Sequence, residues 1–494
     1  MSVTYIGLTV ISISLIIFVV APRYLVPWAI AVSVLQAASV FNVSGTFPIG
    51  VSPYFFVTLL ICFRFLPLWL SGQLGFGRDE SVCLYLRPLL LMVLWGVLSA
   101  TVLPVLFSGF LVDAPRGGMD AASAIPLQWT WSNVAQAGYL ALNFIFIVYM
   151  LWQSADRTQI ERCIAAFRWS GAFAAAVGGY QLLAHVTGLP YPASFFNSNL
   201  AWAQLTDQSI AGAWRVSATF TEPSAAGAYF AIWTTLLLFS ALSDERVTWS
   251  TWYLLVCGIV MLTLTTSSTG YLVGATVLVL LFGKQMLQLL VRGVIGPRML
   301  LMCVIVVIAL AASLILLPDV QRVLHEVIWQ KSQSRSGRDR GATAFRAFSL
   351  FVKTLGLGVG LGSNRPSGLF FYILSNLGIP GLLLFFYLLY VTRILTAHAP
   401  TRRMTERFGR SWIRACGWAF AVALLAAFAA GAELTAPALW VSWGILLAVC
   451  RYVFLAQKKY SGSDAVTHEP ILLELLARPP ILLLDVVPQT GAHP

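Results

Sequence analysis

Apolar runs of about 20 residues recur along the chain, separated by short polar connections, and they set the reading before any motif does. The runs fall at 3–21, 24–41, 51–70, 88–108, 132–152, 163–184, 224–242, 251–267, 270–291, 299–317, 368–391, 415–431 and 436–454. Each is long enough to cross roughly 30 Å of hydrocarbon as a helix. Stretches such as MLLMCVIVVIALAASLILL at 299–317 lack the period-two alternation of outer-membrane strands. The pattern therefore predicts an all-α polytopic integral membrane protein with about 13 transmembrane helices, within a range of roughly 12–14, since helices satisfy their own backbone polar groups in lipid.

Composition agrees. The 494 residues are 59% hydrophobic and 10% charged, with mean hydropathy +0.81, whereas soluble domains run near 25% charged. The first run has no basic residue ahead of it and Arg23 just after it, the reverse of a secretory signal, which predicts an uncleaved helix with its N-terminus outside the cytoplasm. An odd number of spans then leaves the C-terminus in the cytoplasm.

Basic residues test that orientation. The connections assigned to the cytoplasm hold Arg23, Arg78, Arg87, Arg157, Arg162, Arg246, Arg292 and Arg298, then a run from Arg393 to Arg414, then Lys458 and Lys459. The external connections outside 318–366 hold Arg116 and Arg215. The bias fits the preference for Lys and Arg in cytoplasmic loops. Segment 318–366 breaks it. It carries Arg322, Lys331, Arg335, Arg338, Arg340, Arg346, Lys353 and Arg365 against Asp319, Glu326 and Asp339. Exported guanidinium groups beside apolar helices call for an anionic partner, and a phosphate-bearing lipid is the simplest.

The chain thus divides into N-terminal helices (1–184), an external loop with Arg215 (185–223), further helices (224–317), a basic external loop (318–367), C-terminal helices (368–454) and a cytoplasmic tail (455–494). A third long external segment, 109–131, is nearly uncharged. Long loops without secondary structure are usually functional or disordered. The tail's two short apolar patches flank Pro479 and Pro480, and neither can cross a bilayer.

Two segments carry candidate chemistry. The first, RVSATFTEP at 215–223, runs straight into a span. Glu222 is either a helix-terminal acid favoured by the macrodipole or a proton acceptor, and Arg215 is either an interfacial anchor or an anion ligand. The second, 335–365, joins RSGRDRGATAFR to FSLFVKTLGLGVGLGSNR. Its alternating glycines let backbone approach a ligand or another helix closely, and no strand precedes them, which excludes a dinucleotide fingerprint. Guanidinium forks suit a diphosphate because they stay charged and grip phosphate through parallel hydrogen bonds. Arg338, Arg340, Arg346 and Arg365 join Arg215 as candidate diphosphate ligands. His325, the histidine of the basic loop, joins Glu222 as a candidate base, against the commoner structural role of a lone histidine.

The loops hold no DxD, P-loop, HExxH or Cys/His metal spacing, so no metal or cofactor is expected. The seven cysteines sit in or beside apolar runs and suggest no disulfide framework. The charge is not interleaved with base-stacking aromatics, so nucleic acid is not an expected partner.

In order along the chain, R215VSATFTEPSAAG, LTTSSTG at 264–270, the basic loop running into GLGVGLGSNRPSG, and LSNLGIPGLLL at 374–384 resemble the bacterial O-antigen and exopolysaccharide polymerase family, relatives of the O-antigen ligases. The likeness covers about 185–390. It implies a GT-C-like, wholly helical, metal-independent glycosyltransferase of the inner membrane, with its active site on the periplasmic face. The implied substrates are undecaprenyl diphosphate-linked oligosaccharides drawn from the membrane lipids, with a chain-length regulator as a candidate protein partner. By position, Arg215 resembles the arginine of the family's first long loop and Arg346 the arginine opening its C-terminal signature; both would engage the donor diphosphate. The ligase branch carries a His before the final Leu-rich Gly motif, where this chain has Ser367. The expectation is therefore a polysaccharide polymerase; the alternatives are a ligase-type glycan transferase, a flippase or transporter of the lipid-linked unit, and a scaffold.

Overall fold

The computed structural model describes residues 1–43, 49–73, 80–113, 124–202, 204–210, 212–243, 247–292, 301, 303–308, 311, 335–397, 399, 405–430 and 433–460. Helices dominate. In chain order they are α1 (Tyr5–Val20), α2 (Leu25–Val32), α3 (Pro53–Leu70), α4 (Glu80–Leu106), α5 (Trp131–Gln153), α6 (Arg157–Thr187), the single turn α7 (Ala193–Phe196), α8 (Pro223–Ser243), α9 (Trp249–Leu264), α10 (Ser268–Arg292), α11 (Arg335–Lys353), α12 (Leu369–Ala397), α13 (Thr405–Ala430) and α14 (Pro437–Tyr460). Among the described residues seven helices are long and apolar enough to cross a membrane, within α3, α4, α5, α8, α12, α13 and α14. Shorter apolar helices run over Tyr5–Val20, Trp249–Leu264 and Ser268–Gly283. The chain is an all-α membrane protein. The run 299–317 lies largely outside the described residues, as does the tail beyond Tyr460.

One expected span departs from helix. Over 24–41 the chain is helical in α2 alone, then unwinds through residues 33–40, most of which are buried. Unwound backbone inside a membrane protein survives where other protein groups satisfy it. Here the loop before α8 does so: Ala37 N–H donates to Thr219 O (3.0 Å), Thr219 Oγ1–H to Val34 O (2.7 Å), and Asn199 N–H to Ala37 O (3.0 Å). The segment still returns the chain to its starting side. Strands β1 (Ser2–Val3), β2 (Phe41–Val43) and β3 (Ile49–Val51) form one antiparallel sheet, with Val3 opposite Phe41 and Phe41 opposite Val51.

The same argument, carried along the chain, sorts the connections onto two ends. Asn42 Nδ2–H donates to Ser198 O (2.8 Å), which places the N-terminus, the β2–β3 hairpin and the loop after α6 together. At the opposite end the guanidinium of Arg162 lies over the Tyr24 ring, and Ser411 Oγ–H donates to Ser243 O (2.8 Å).

At the first end, the expected basic loop has helical structure of its own, α11, followed by a glycine-rich return into the bundle. That return is packed into α12 at a break. Gly378 has φ +62° within α12, and Pro380, two residues on, has no N–H with which to continue the helical ladder. The carbonyls freed there accept from the return loop: Val359 N–H donates to Ser375 O (2.8 Å) and Gly360 N–H to Asn376 O (2.9 Å). A Cβ on Gly358 would lie 2.8 Å from the Asn376 carbonyl carbon, and one on Gly360 2.6 Å from Ser99 O of α4. The alternating glycines therefore serve close approach to helices.

Candidate functional site

Segment 213–222 is the spine of the site end. It starts as strand at Ala213–Trp214, is irregular through Ser217 and turns at Ala218–Phe220, and because 216–220 is buried its polar groups must be satisfied by protein. Gln181, buried in α6, supplies much of this: Ser217 N–H (3.1 Å) and Ala218 N–H (2.8 Å) both donate to its Oε1. Val216 N–H donates to Leu264 O (3.2 Å), tying the segment to the turn between α9 and α10. These anchors fix Arg215. Its Nε–H donates to Thr265 O (3.1 Å) and Nη1–H to Gln208 Oε1 (3.0 Å). Burial pulls the guanidinium down from its ordinary value. Glu222 and Tyr271 oppose that, and Arg340 adds a further small push down.

Glu222 precedes the first residue of α8, where an acid complements the macrodipole. Its main-chain carbonyl accepts from Ala225 and Ala226 N–H (3.2 Å each), and its carboxylate accepts a short hydrogen bond from Ser224 Oγ–H.

Helix α11 brings two more of the expected arginines. Arg340 Nη1–H donates to Ala429 O near the end of α13 (3.3 Å). Two turns on, Arg346 pairs with Asp113 of strand β4 (Leu111–Asp113): Nη2 lies 2.5 Å from Oδ1 and Nε–H donates to the same oxygen at 2.7 Å. Strand β4 pairs antiparallel with β5 (Ala124–Pro126), which brings 111–113 and 124–126 together beside α11. Arg338, on the same helix, is exposed.

Arg365 leaves the glycine-rich return and reaches across to the α13–α14 connection. Its Nε lies 3.2 Å from Glu433 Oε1, and its guanidinium carbon sits 4.3 Å from the centroid of the Trp202 ring. Glu433 is itself held, since Gln136 Nε2–H donates to Oε2 (2.7 Å) while Gln136 Oε1 accepts from Thr435 Oγ1–H (2.6 Å).

The structure thus gathers Arg215, Glu222, Arg340, Arg346 and Arg365 at one end of the bundle and divides the arginines by partner. Arg346 and Arg365 each face a carboxylate. Among the described residues Arg215 and Arg340 hydrogen-bond to neutral oxygens, and Arg215 feels the charge of Glu222 and, opposing it, that of Arg340. Two guanidinium groups held by neutral acceptors beside the single carboxylate of Glu222 leave a net positive site that can take an anion. His325 lies outside the described residues. Ser367 does not point to a base: its Oγ lies 3.3 Å from Thr343 Oγ1.

Sequence reasoning missed Asp113, Glu433 and Trp202. For Glu433 a signal existed, a lone acid between the apolar runs 415–431 and 436–454. Asp113 carried none, lying 233 residues from its partner. Among the described residues no group of three or more His, Cys, Asp or Glu side chains could hold a metal ion. No family model and no curated protein matches the chain.

Proposed function

We propose that the chain polymerises lipid-linked oligosaccharides, joining repeat units carried on undecaprenyl diphosphate at the periplasmic face of the inner membrane. In this reading it crosses the membrane thirteen times in a GT-C-like arrangement, with its N-terminus in the periplasm and its C-terminus in the cytoplasm. The arginine end then faces the periplasm.

The observation that carries the reading is the Arg215–Arg340 pair. A sugar hydroxyl of one unit attacks the anomeric carbon of the glycan on a second carrier. The carbon–oxygen bond to phosphate breaks, and undecaprenyl diphosphate departs with the electron pair. The departing group gains charge as the bond breaks, so fixed guanidinium groups stabilise the transition state more than the ground state. Arg215 and Arg340 do this, because among the described residues neither is in a direct ion pair with a carboxylate. Arg346 and Arg365 hold α11 and the return loop in place around them. The hydroxyl proton passes to a carboxylate or imidazole: Glu222 stands nearest to Arg215 in sequence and feels its charge, while His325 is the candidate from the basic loop.

The test is a reaction of the purified full-length protein with lipid-linked repeat units, resolved by product length. Arg215→Ala and Arg340→Ala should abolish the ladder while the protein remains monodisperse. A normal ladder from both would refute the reading. A single transfer product would point to a ligase, and movement of the intact lipid-linked unit without elongation to a transporter.

A further inference from the structure

We propose that α11 lies in the membrane surface, with Phe345, Phe348, Val352 and Leu355 seated in the hydrocarbon margin of the lipid leaflet at the arginine end. The helix has two opposed sectors. One packs on the protein through Thr343, Ala347, Leu350 and Thr354, all buried. The other recurs at intervals of three and four residues, the spacing of a single helix face. Its members are exposed, Phe345 to 75%, Phe348 to 51%, Val352 to 56% and Leu355 to 90%. Between the sectors runs a flank of small and charged residues with Ala342, Ser349 and Lys353, and Arg338 is exposed one turn nearer the N-terminus.

What covers the stripe is indicated by where it leads. The chain turns at Leu355 and Gly356, where a Cβ on Gly356 would lie 2.8 Å from Ile379 Cδ1 of α12. Ile379 opens the outward flank of that membrane-length helix, continued by exposed Leu383, Phe386, Tyr387 and Tyr390. The stripe is thus continuous with a flank that faces lipid. A helix with one apolar face, low overall hydrophobicity and basic residues beside that face lies in the interfacial plane, its Lys and Arg reaching anionic headgroups. Seated there, α11 holds Arg340 and Arg346 at the depth of lipid phosphate. A phosphate-bearing lipid would then meet the guanidinium groups without leaving its leaflet. The seating itself does not depend on glycan chemistry.

Site-directed spin labelling of the full chain in lipid nanodiscs tests this. Cysteines in place of Phe348 and Val352 should report collisions dominated by oxygen, which partitions into the bilayer. Cysteines in place of Ala342 and Lys353 should report collisions dominated by a water-soluble nickel complex. Phe348 and Val352 labels as open to nickel as the controls, or closed to both quenchers as beneath a protein partner, would overturn the proposal. Should the cysteine variants not fold, the unaltered protein can be irradiated with a lipid bearing a diazirine at the top of its acyl chain. Adducts on residues 347–353 are expected. Adducts on α12 without any on 347–353 would overturn the seating.

Discussion

Arg346 and Asp113 are joined by two contacts to a single oxygen, with Nη2 at 2.5 Å and Nε at 2.7 Å from Oδ1. The main-chain N–H of Asp113 donates to Asn364 Oδ1 (2.8 Å). One ion pair therefore locks helix α11, the β4–β5 pair and the glycine-rich return into a single unit. Burial holds the Asp113 carboxyl above its usual range, with Arg346 pulling it back down through a hydrogen bond and its charge.

Removing one partner of such a pair leaves an uncompensated carboxylate with little access to water. Arg346→Ala should cost about 3 kcal/mol at neutral pH. The sign of its pH dependence follows from linkage. Without Arg346 the folded-state carboxyl titrates still higher, so the folded protein holds a proton that the unfolded chain releases near pH ~4. That contribution is fully present below the unfolded value and is lost as pH rises through the folded one. The deficit of Arg346→Ala relative to the parent should therefore shrink between neutral and mildly acidic pH. Thermal challenge followed by fluorescence-detected size exclusion at both pH values measures it; equal deficits would contradict the argument.

Arg215 makes a different prediction, because its geometry and its charge can be separated. Lysine keeps the charge but cannot direct one donor to Thr265 O and another to Gln208 Oε1 while leaving others for a ligand. Arg215→Lys should fold like the parent and lose most elongation activity, on the order of tenfold or more if one charge-assisted hydrogen bond of about 1.5–3 kcal/mol goes unmade in the transition state. Initial rates of ladder formation check this. Near-parental activity would mean that Arg215 acts only as a point charge.

Much of the fold was legible because the bilayer imposes a length and a composition on anything that crosses it. The runs that became α3, α5, α8, α12 and α14 needed no more than hydropathy. Residues 33–40 were misread for the same reason: hydropathy records that Val34, Leu35 and Val40 are apolar, not that Thr219 and Asn199 would take over the hydrogen bonds of a helix. The arginines were legible as a charge anomaly. Which of them form direct ion pairs was not, since Asp113 and Glu433 reach Arg346 and Arg365 through tertiary contacts that no local pattern encodes. The glycines at 356–362 announced close approach, but only the fold identifies what they approach.

Those glycines can be graded by what surrounds them. Gly360 (φ +97°) faces Ser99 O and Pro104, and Gly378 (φ +62°) faces the carbonyl of Gly356. Alanine at either adds a steric clash to the 1–2 kcal/mol, roughly, of a left-handed backbone. Gly188 (φ +76°) caps α6 with open space around it and should show the backbone cost alone, about 1 kcal/mol. The expected order of thermal stability is parent, Gly188→Ala, then Gly360→Ala and Gly378→Ala. Equal melting for Gly188→Ala and Gly360→Ala would show that the return loop is not packed against α4 as described.

Asn376 offers the sharpest separation of site architecture from helix packing. Its Oδ1 accepts from Ser363 N–H (3.1 Å) and Asn364 N–H (2.9 Å), while Nδ2–H donates to Asn364 O (2.8 Å) and Tyr372 O (2.9 Å). Ser363 and Asn364 lie in the buried turn that delivers Arg365, whereas Tyr372 lies one helical turn back in α12. Leucine at 376 has a similar volume and suits an apolar helix, so a purely hydrophobic view expects little change. The hydrogen-bond view expects two donors in the turn to lose their partner, at about 1–3 kcal/mol for each buried group left unsatisfied. Ser375→Ala, next door, leaves one such donor, Asn364 Nδ2–H (3.0 Å to Ser375 Oγ), and should cost less. Asn376→Leu should therefore melt below Ser375→Ala. Where it remains folded, it should also have lost elongation activity, because Arg365 no longer meets Glu433 and Trp202 from a fixed turn. A stable, active Asn376→Leu protein would remove the turn from the account of the site.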